Sequence, residues 1–293
     1  MGVSIFRILK LTFQRFNSDR CWNSAIVISY FALLCAVPLV ALFAYVTAKV
    51  LGNSAIAFRS LNIFSEEFFA QLDPSFFSRL QDVAKNLSNL GWISLGGSFV
   101  AASFLFSNLI YSINFIFKAH YQKSFFYNRL MEYLIMFTIG IIMLFSLAIT
   151  AVWTALHRTI ETSAFGTQFL NPKAMTLVDN VLLQYLLPFT LTFLVFFSLY
   201  KFIPEVKVHT RSAALAAAIA AVLWEIFKRG FAFYVVNLSV IGMVLSKLLQ
   251  GTLTSIIFFL LWISFSLVIL LWGAELASVL NDKLDGKLHE HST

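Results

Sequence analysis

The sequence predicts an all-α integral membrane protein with six transmembrane helices and short interfacial helices in the first outer loop and at the N-terminus. Three observations carry that prediction. Of 293 residues, 59% are hydrophobic and only 12% charged, with a mean hydropathy of +0.83. Soluble domains carry about 25% charged residues, so this chain has too few to face water over its whole surface, and lipid must replace water around most of it. Second, apolar residues gather into six runs near the ~20 residues that a helix needs to cross a bilayer: 24–47, 91–117, 133–156, 183–203, 212–240 and 252–278. Third, Lys and Arg are unevenly shared between the two sets of connections.

Residues 1–20 form an amphipathic arm. Phe6, Leu9, Phe13 and Phe16 recur at helical spacing, with Arg7, Lys10 and Arg15 elsewhere on the helix, as suits a helix lying in the headgroup layer. The run that follows is too long for the apolar region of a cleaved leader, and no small-residue cleavage site follows it. Pro38 in the first span and Pro188 in the fourth predict kinks. The 48–90 connection is the one sizeable extramembrane piece. Ser65-Glu66-Glu67 and Asp73-Pro74 each open a short helix there, with Asp as cap and Pro in the first turn. Residues 281–293 read as a flexible cytoplasmic tail, and 1–293 as one six-helix membrane domain.

The net charge of +7 belongs with anionic lipid headgroups and not with nucleic acid, because no basic domain stands outside the apolar runs. The N-terminal arm holds Arg7, Lys10, Arg15 and Arg20. The 118–132 and 201–211 loops hold Lys118, Lys123, Arg129, Lys201, Lys207 and Arg211, and the tail holds Lys283 and Lys287. The opposite connections hold fewer, and Glu66, Glu67, Asp73 and Asp82 balance those of the long one. The short connections therefore predict both termini in the cytoplasm, in accord with an even number of crossings.

Polar residues within apolar runs mark helix faces turned toward protein. The second span carries Ser94, Ser98, Ala101, Asn108 and Ser112 within about 80° of one another at 100° per residue. Ser103, Ser107 and Asn114 form another stripe. Either these polar groups knit helices together, or they line a wetted pathway. The fifth span begins with seven alanines between 213 and 221, a thin rod that neighbours approach closely. Glu225 follows about 21 Å from Arg211 at 1.5 Å per residue. Lys228 and Arg229 lie one helical turn on, at spacings that allow neutralisation. An ionised group at that depth costs a few kcal/mol, at least about 2.5 on insertion scales, and should face the interior. Gly230 and Gly242 are candidate break points in this long run. Glu275, in the sixth span, falls at the cytoplasmic edge within reach of Lys207, Arg211 or Arg20. It is either a helix-end anchor or part of a gate.

Nothing in the sequence assembles an active site. His120, His157, His209, His289 and His291 fall in loops or the tail without a clustered acidic framework, so no metal centre is expected. Cys21 and Cys35 read as inert thiols, and no phosphate-cradling glycine loop occurs. No catalytic residue and no cofactor is expected.

Three stretches resemble the YihY/BrkB family of bacterial inner-membrane proteins, once labelled ribonuclease BN. They are Tyr30-Phe-Ala-Leu-Leu-Cys-Ala-Val-Pro38; Pro204 with the Ala-rich run and Trp224-Glu225-x-x-Lys228-x-x-Phe231-x-x-Tyr234; and Leu261-Trp262 leading to Gly273-Ala274-Glu275. Asn114 also fits. The resemblance spans about residues 15–280. It implies six helices with both termini inside, and a role in transport or in support of the cell envelope. Two functions therefore stand. In one, a transporter or flippase-like protein moves an amphiphilic or lipid-derived substrate past Glu225, Lys228, Arg229, Asn108, Asn114, Ser98 and Ser112, with Glu275 near the inner mouth. In the other, a scaffold supports the envelope without transporting anything; membrane lipids are the expected partners in both.

Overall fold

A computed structural model of the chain describes residues 5–35, 92–119, 129–142 (except 132 and 136), 186–234 and 252–286. All regular structure among the described residues is helical. In chain order the helices are α1 (Ile5–Ser18), α2 (Cys21–Cys35), α3 (Trp92–Ile116), α4 (Leu187–Phe202), α5 (Thr210–Phe233) and α6 (Thr252–Leu284), with a further helical stretch within 129–142. Pro38, Gly242, the 48–90 connection, the second half of the 133–156 run and residues 287–293 lie outside the described residues.

Two helical segments, Thr210–Phe231 and Ile256–Leu284, are long and apolar enough to cross a membrane; Cys21–Cys35, Ala102–Ile116 and Leu187–Phe202 are shorter apolar helices. Large apolar side chains stand exposed along each of them: Val27, Phe104, Leu194, Leu215, Ile226 and Phe265. In water so much exposed apolar surface would drive association; against acyl chains it is at rest.

α6 is the hub, packing against α1, α3, α4 and α5. Its 33 residues span about 50 Å, well beyond a hydrocarbon core of about 30 Å. The character of the helix changes along that length. Residues 256–270 are mostly half-buried or exposed, whereas Leu271, Gly273, Ala274, Glu275, Leu276, Ala277, Ser278 and Val279 are all buried. The helix therefore continues through Leu284 into the stretch expected to be a free tail. Asn281 and Asp282 hold it there by the contacts set out below.

The α4–α5–α6 interface forms because small residues let the backbones approach. Ala213, Ala216, Ala217, Ala220 and Ala221 of α5 are completely buried. Opposite them sits Gly273 of α6. A Cβ added there would lie 2.8 Å from Ala220 Cβ and against the Tyr200 ring. The Tyr200 phenol is wholly buried, and its hydroxyl donates to the Leu270 carbonyl at 2.8 Å. Further out, the interface becomes aromatic: the Trp262 ring lies 5.2 Å from Trp224, 5.1 Å from Phe227 and 5.3 Å from Phe231. Pro188 stands at the start of the described part of α4, just after Leu186, whose backbone is already helical.

The arm is seated differently from the expectation of one apolar face in the headgroups. Ile8, Thr12 and Phe16 are buried, and α1 packs on α6, while Phe6, Leu9 and Phe13 remain exposed. The four residues of the expected stripe are thus divided: Phe16 faces protein, and the other three are left for lipid.

Because Gly273 has no room for a side chain, Gly273→Ala should lower stability by about 1–3 kcal/mol through overpacking. Gly230→Ala, where a Cβ meets nothing within 4 Å, should be neutral or stabilising by up to about 1 kcal/mol through helix propensity. Melting of the two purified variants in detergent, followed by size-exclusion recovery, checks the contrast.

Candidate functional site

The residues singled out in the sequence fall into separate places. On α5, Glu225 and Lys228 form the expected i, i+3 pair, with Nζ 2.6 Å from Oε1 and side chains 19% and 20% exposed. That oxygen takes no directed hydrogen bond, so the link is chiefly charge attraction, and the pair brings no net charge to its depth. Arg229 is exposed.

On α3, Asn108 bonds back to its own helix, Nδ2 donating to the Phe104 carbonyl at 2.8 Å. Asn114 is 1% exposed and reaches across the bundle, where its Oδ1 accepts from the Glu205 N–H at 2.9 Å. Ser112 is buried, and Ser103 accepts from Arg129 Nη1 at 2.8 Å. The Ser98 side chain lies outside the described residues. Among the described residues, no hydrogen bond or ion pair joins Glu225 to Asn108, Asn114 or Glu275.

The C-terminal end of α6 carries a dense polar cluster among the described residues. Glu275 is completely buried, and one of its oxygens, Oε2, has no hydrogen-bond partner. Its neighbours are not the basic residues named from the sequence. Asp19 stands within hydrogen-bonding reach, and the charges that act on the carboxyl are those of Asp19, Arg15 and Lys118. The Cys21 thiol lies 4.0 Å from Oε1. These residues come together because α1 docks on α6. Arg20 (φ 53°) then turns the chain from α1 into α2, and Lys118 (φ 51°) ends α3. Behind Lys118, the Ala119 N–H returns to the Asn114 carbonyl at 3.0 Å, a left-handed helix stop. Both turn residues are basic and sit at helix C-termini, where the dipole favours them.

Around this pocket the 203–209 loop and the N-terminal arm are tied to α6. Arg15 Nη1 meets Asp282 Oδ2 at 2.7 Å. Asn281 Oδ1 accepts the His209 N–H at 2.8 Å, and the His209 ring lies 2.9 Å from Asp285 Oδ1. Ser278 Oγ donates to the Ile116 carbonyl at 3.3 Å, closing the end of α3. The sequence carried one signal for this region, the acidic and amide residues at one-turn spacing after Glu275, but their partners lie far away in the chain.

Between α2 and α3 runs an apolar groove of about 550 Å³, lined by Phe31, Leu34, Cys35, Gly96, Gly97, Val100 and Phe104. A Cβ added at Gly96 or Gly97 would meet nothing within 4 Å. Sequence reasoning missed this groove, since Phe-rich runs look alike whether they face lipid or a cleft.

Among the described residues, helices with apolar faces left exposed, two of them long and apolar enough to cross a membrane, fit an integral membrane protein. The virulence factor BrkB family model matches residues 12–292, and the chain belongs to that family. Among similar proteins is a UPF0761 membrane protein of Vibrio parahaemolyticus, 27% identical over 283 residues, covering 96% of this chain and 84% of that one. Another, from Vibrio cholerae, is 28% identical over 288 residues, covering 97% and 89%. The chain is thus a bacterial membrane protein. No solved structure matches it.

Asn281→Ala should strand the His209 N–H and lower stability by about 1–3 kcal/mol, with faster tryptic cleavage after Lys207 or Arg211. Asn108→Ala, which loses only a bond to its own helix, should change stability by no more than about 0.5 kcal/mol. Paired melting and limited proteolysis check both.

Proposed function

We propose that the protein is a transporter or flippase-like protein of the bacterial inner membrane, moving an amphiphilic or lipid-derived substrate and catalysing no covalent chemistry. It crosses the membrane six times with both termini in the cytoplasm. The ion pair between Arg15 and Asp282 supports that topology, because it holds the N-terminal arm and the end of α6 on one side.

The observation that carries the transport reading is the groove between α2 and α3. Its lining is almost wholly apolar, and the two glycines leave it room. Such a cleft suits an acyl chain and offers a sugar nothing to bond to. Lys228 and Glu225 would meet a charged headgroup on α5, with Asn108, Asn114, Ser98, Ser112 and Arg229 along the path and Glu275 near its inner mouth.

A specific observation favours the rival scaffold: Ser103, Asn114 and Tyr200 direct their polar atoms to other segments of the chain. Flux separates the two. Purified protein in vesicles should exchange a fluorescent phospholipid between leaflets. Gly97→Trp, which fills the groove, should slow that exchange by about tenfold, the effect of ~1.4 kcal/mol. Exchange no faster than in empty vesicles would favour the scaffold. Unchanged exchange in Glu225→Gln would remove Glu225 from the path.

A further inference from the structure

We propose that Asp19 and Glu275 form a proton-binding site in which one shared proton latches the α1–α2 turn onto the inner end of α6. Neither residue lines the groove, and the latch does not depend on whether the protein transports anything.

Its ground is geometric. The turn that carries Asp19 is held on α6 from both sides, by Arg15 Nη1 at 2.7 Å from Asp282 Oδ2 and by Cys21 Sγ at 4.0 Å from Glu275 Oε1, and this brings the Asp19 carboxyl beside that of Glu275. Yet Asp19 Oδ2 and Glu275 Oε2 are each buried without a partner, and Glu275 is 0% exposed. Ionised carboxylates only accept hydrogen bonds. Two of them brought together out of water repel, and neither satisfies the other. A single proton changes both facts. It turns one carboxyl into a donor, fills the vacant acceptor opposite, and forms a charge-assisted O–H···O bond of the strong kind.

Among the described residues, no other group facing the pair does this. Arg15 of α1 is bonded to Asp282 of α6 at 2.7 Å. Lys118, after α3, contributes charge, but its side chain is exposed. The Cys21 thiol of α2 is a weak donor 4.0 Å from the other Glu275 oxygen. Ser18 Oγ reaches the outer oxygen of Asp19, Oδ1, at 3.3 Å. The charge count agrees. With one proton bound, the negative charge left on the pair and that of Asp282 are matched by Arg15 and Lys118. With none bound, one buried negative charge goes uncompensated, and the turn is driven off α6.

Cys21, 2% exposed, is a native reporter of that opening. The full-length protein with Cys35→Ser is placed in lipid nanodiscs and treated with N-ethylmaleimide from mildly acidic to mildly alkaline pH. Each rate is divided by that of the denatured chain at the same pH, which cancels the thiol's own ionisation. The ratio should be low and flat while the proton is held. It should then rise by up to about tenfold per pH unit once the proton is lost, one unit being a factor of ten in the deprotonated population. Glu275→Gln supplies a fixed amide donor to Asp19, so its ratio should stay low and flat; Asp19→Asn should behave likewise from the other side. Infrared spectra of the wild type should show a protonated carboxyl band that Glu275→Gln and Asp19→Asn each perturb. A flat ratio in the wild type, an equal rise in both amide variants, or a carboxyl band untouched by either would overturn the proposal.

Discussion

The fold depends on how closely α6 is approached at Gly273. Lipid supplies no hydrophobic drive between helices, so contact must come from surfaces that fit. α5 offers a face of buried alanines, α4 offers the flat ring of Tyr200, and α6 offers a residue without a side chain where the two converge. The Tyr200 hydroxyl, which would otherwise be stranded in an apolar interior, is bonded to the α6 main chain one turn away. With that contact made, the axis of α6 is set. The seats of α1 and of the 203–209 loop follow from it.

Along α6 the surroundings change from lipid to protein, and the chemistry changes with them. The outer part carries bulky apolar residues and meets α5 through rings around Trp262. The inner part carries Glu275, Ser278, Asn281 and Asp282, each buried or half-buried against another segment. Polar groups are affordable there because main-chain ends need partners: the last carbonyls of α3 and the first N–H groups around His209 are met by α6 side chains. The same enclosure leaves Glu275 a carboxyl without solvent and without a cation bonded to it.

Much of the helix content and the i, i+3 pairing of Glu225 with Lys228 was legible in the sequence, because both depend on neighbours close in the chain. The alanine run announced a thin helix for the same reason. What was not legible depends on tertiary docking. The moment of α1 pointed to the headgroups, yet Ile8, Thr12 and Phe16 are covered by α6. A helix with two apolar arcs has one dominant period, and periodicity alone does not say which arc meets protein. For Glu275 the partners were chosen by loop charge, whereas the charges around it are those of Asp19, Arg15 and Lys118, beside the left-handed turns at Arg20 and Lys118. The start of the 281–293 stretch looked like a tail because its residues are polar, yet α6 runs on to Leu284, and Asn281 and Asp282 fasten it to its neighbours.

α6 gathers both the N-terminal arm and the loop before α5 around its C-terminal end, and cross-linking in native membranes probes that arrangement. In a background without Cys21 and Cys35, cysteines replace Arg15 and Asp282 in one variant, and His209 and Asp285 in another, and a short bifunctional thiosulfonate is added. An efficient intramolecular link is expected in both pairs. No link at 15/282, in protein that still folds and links at 209/285, would contradict it.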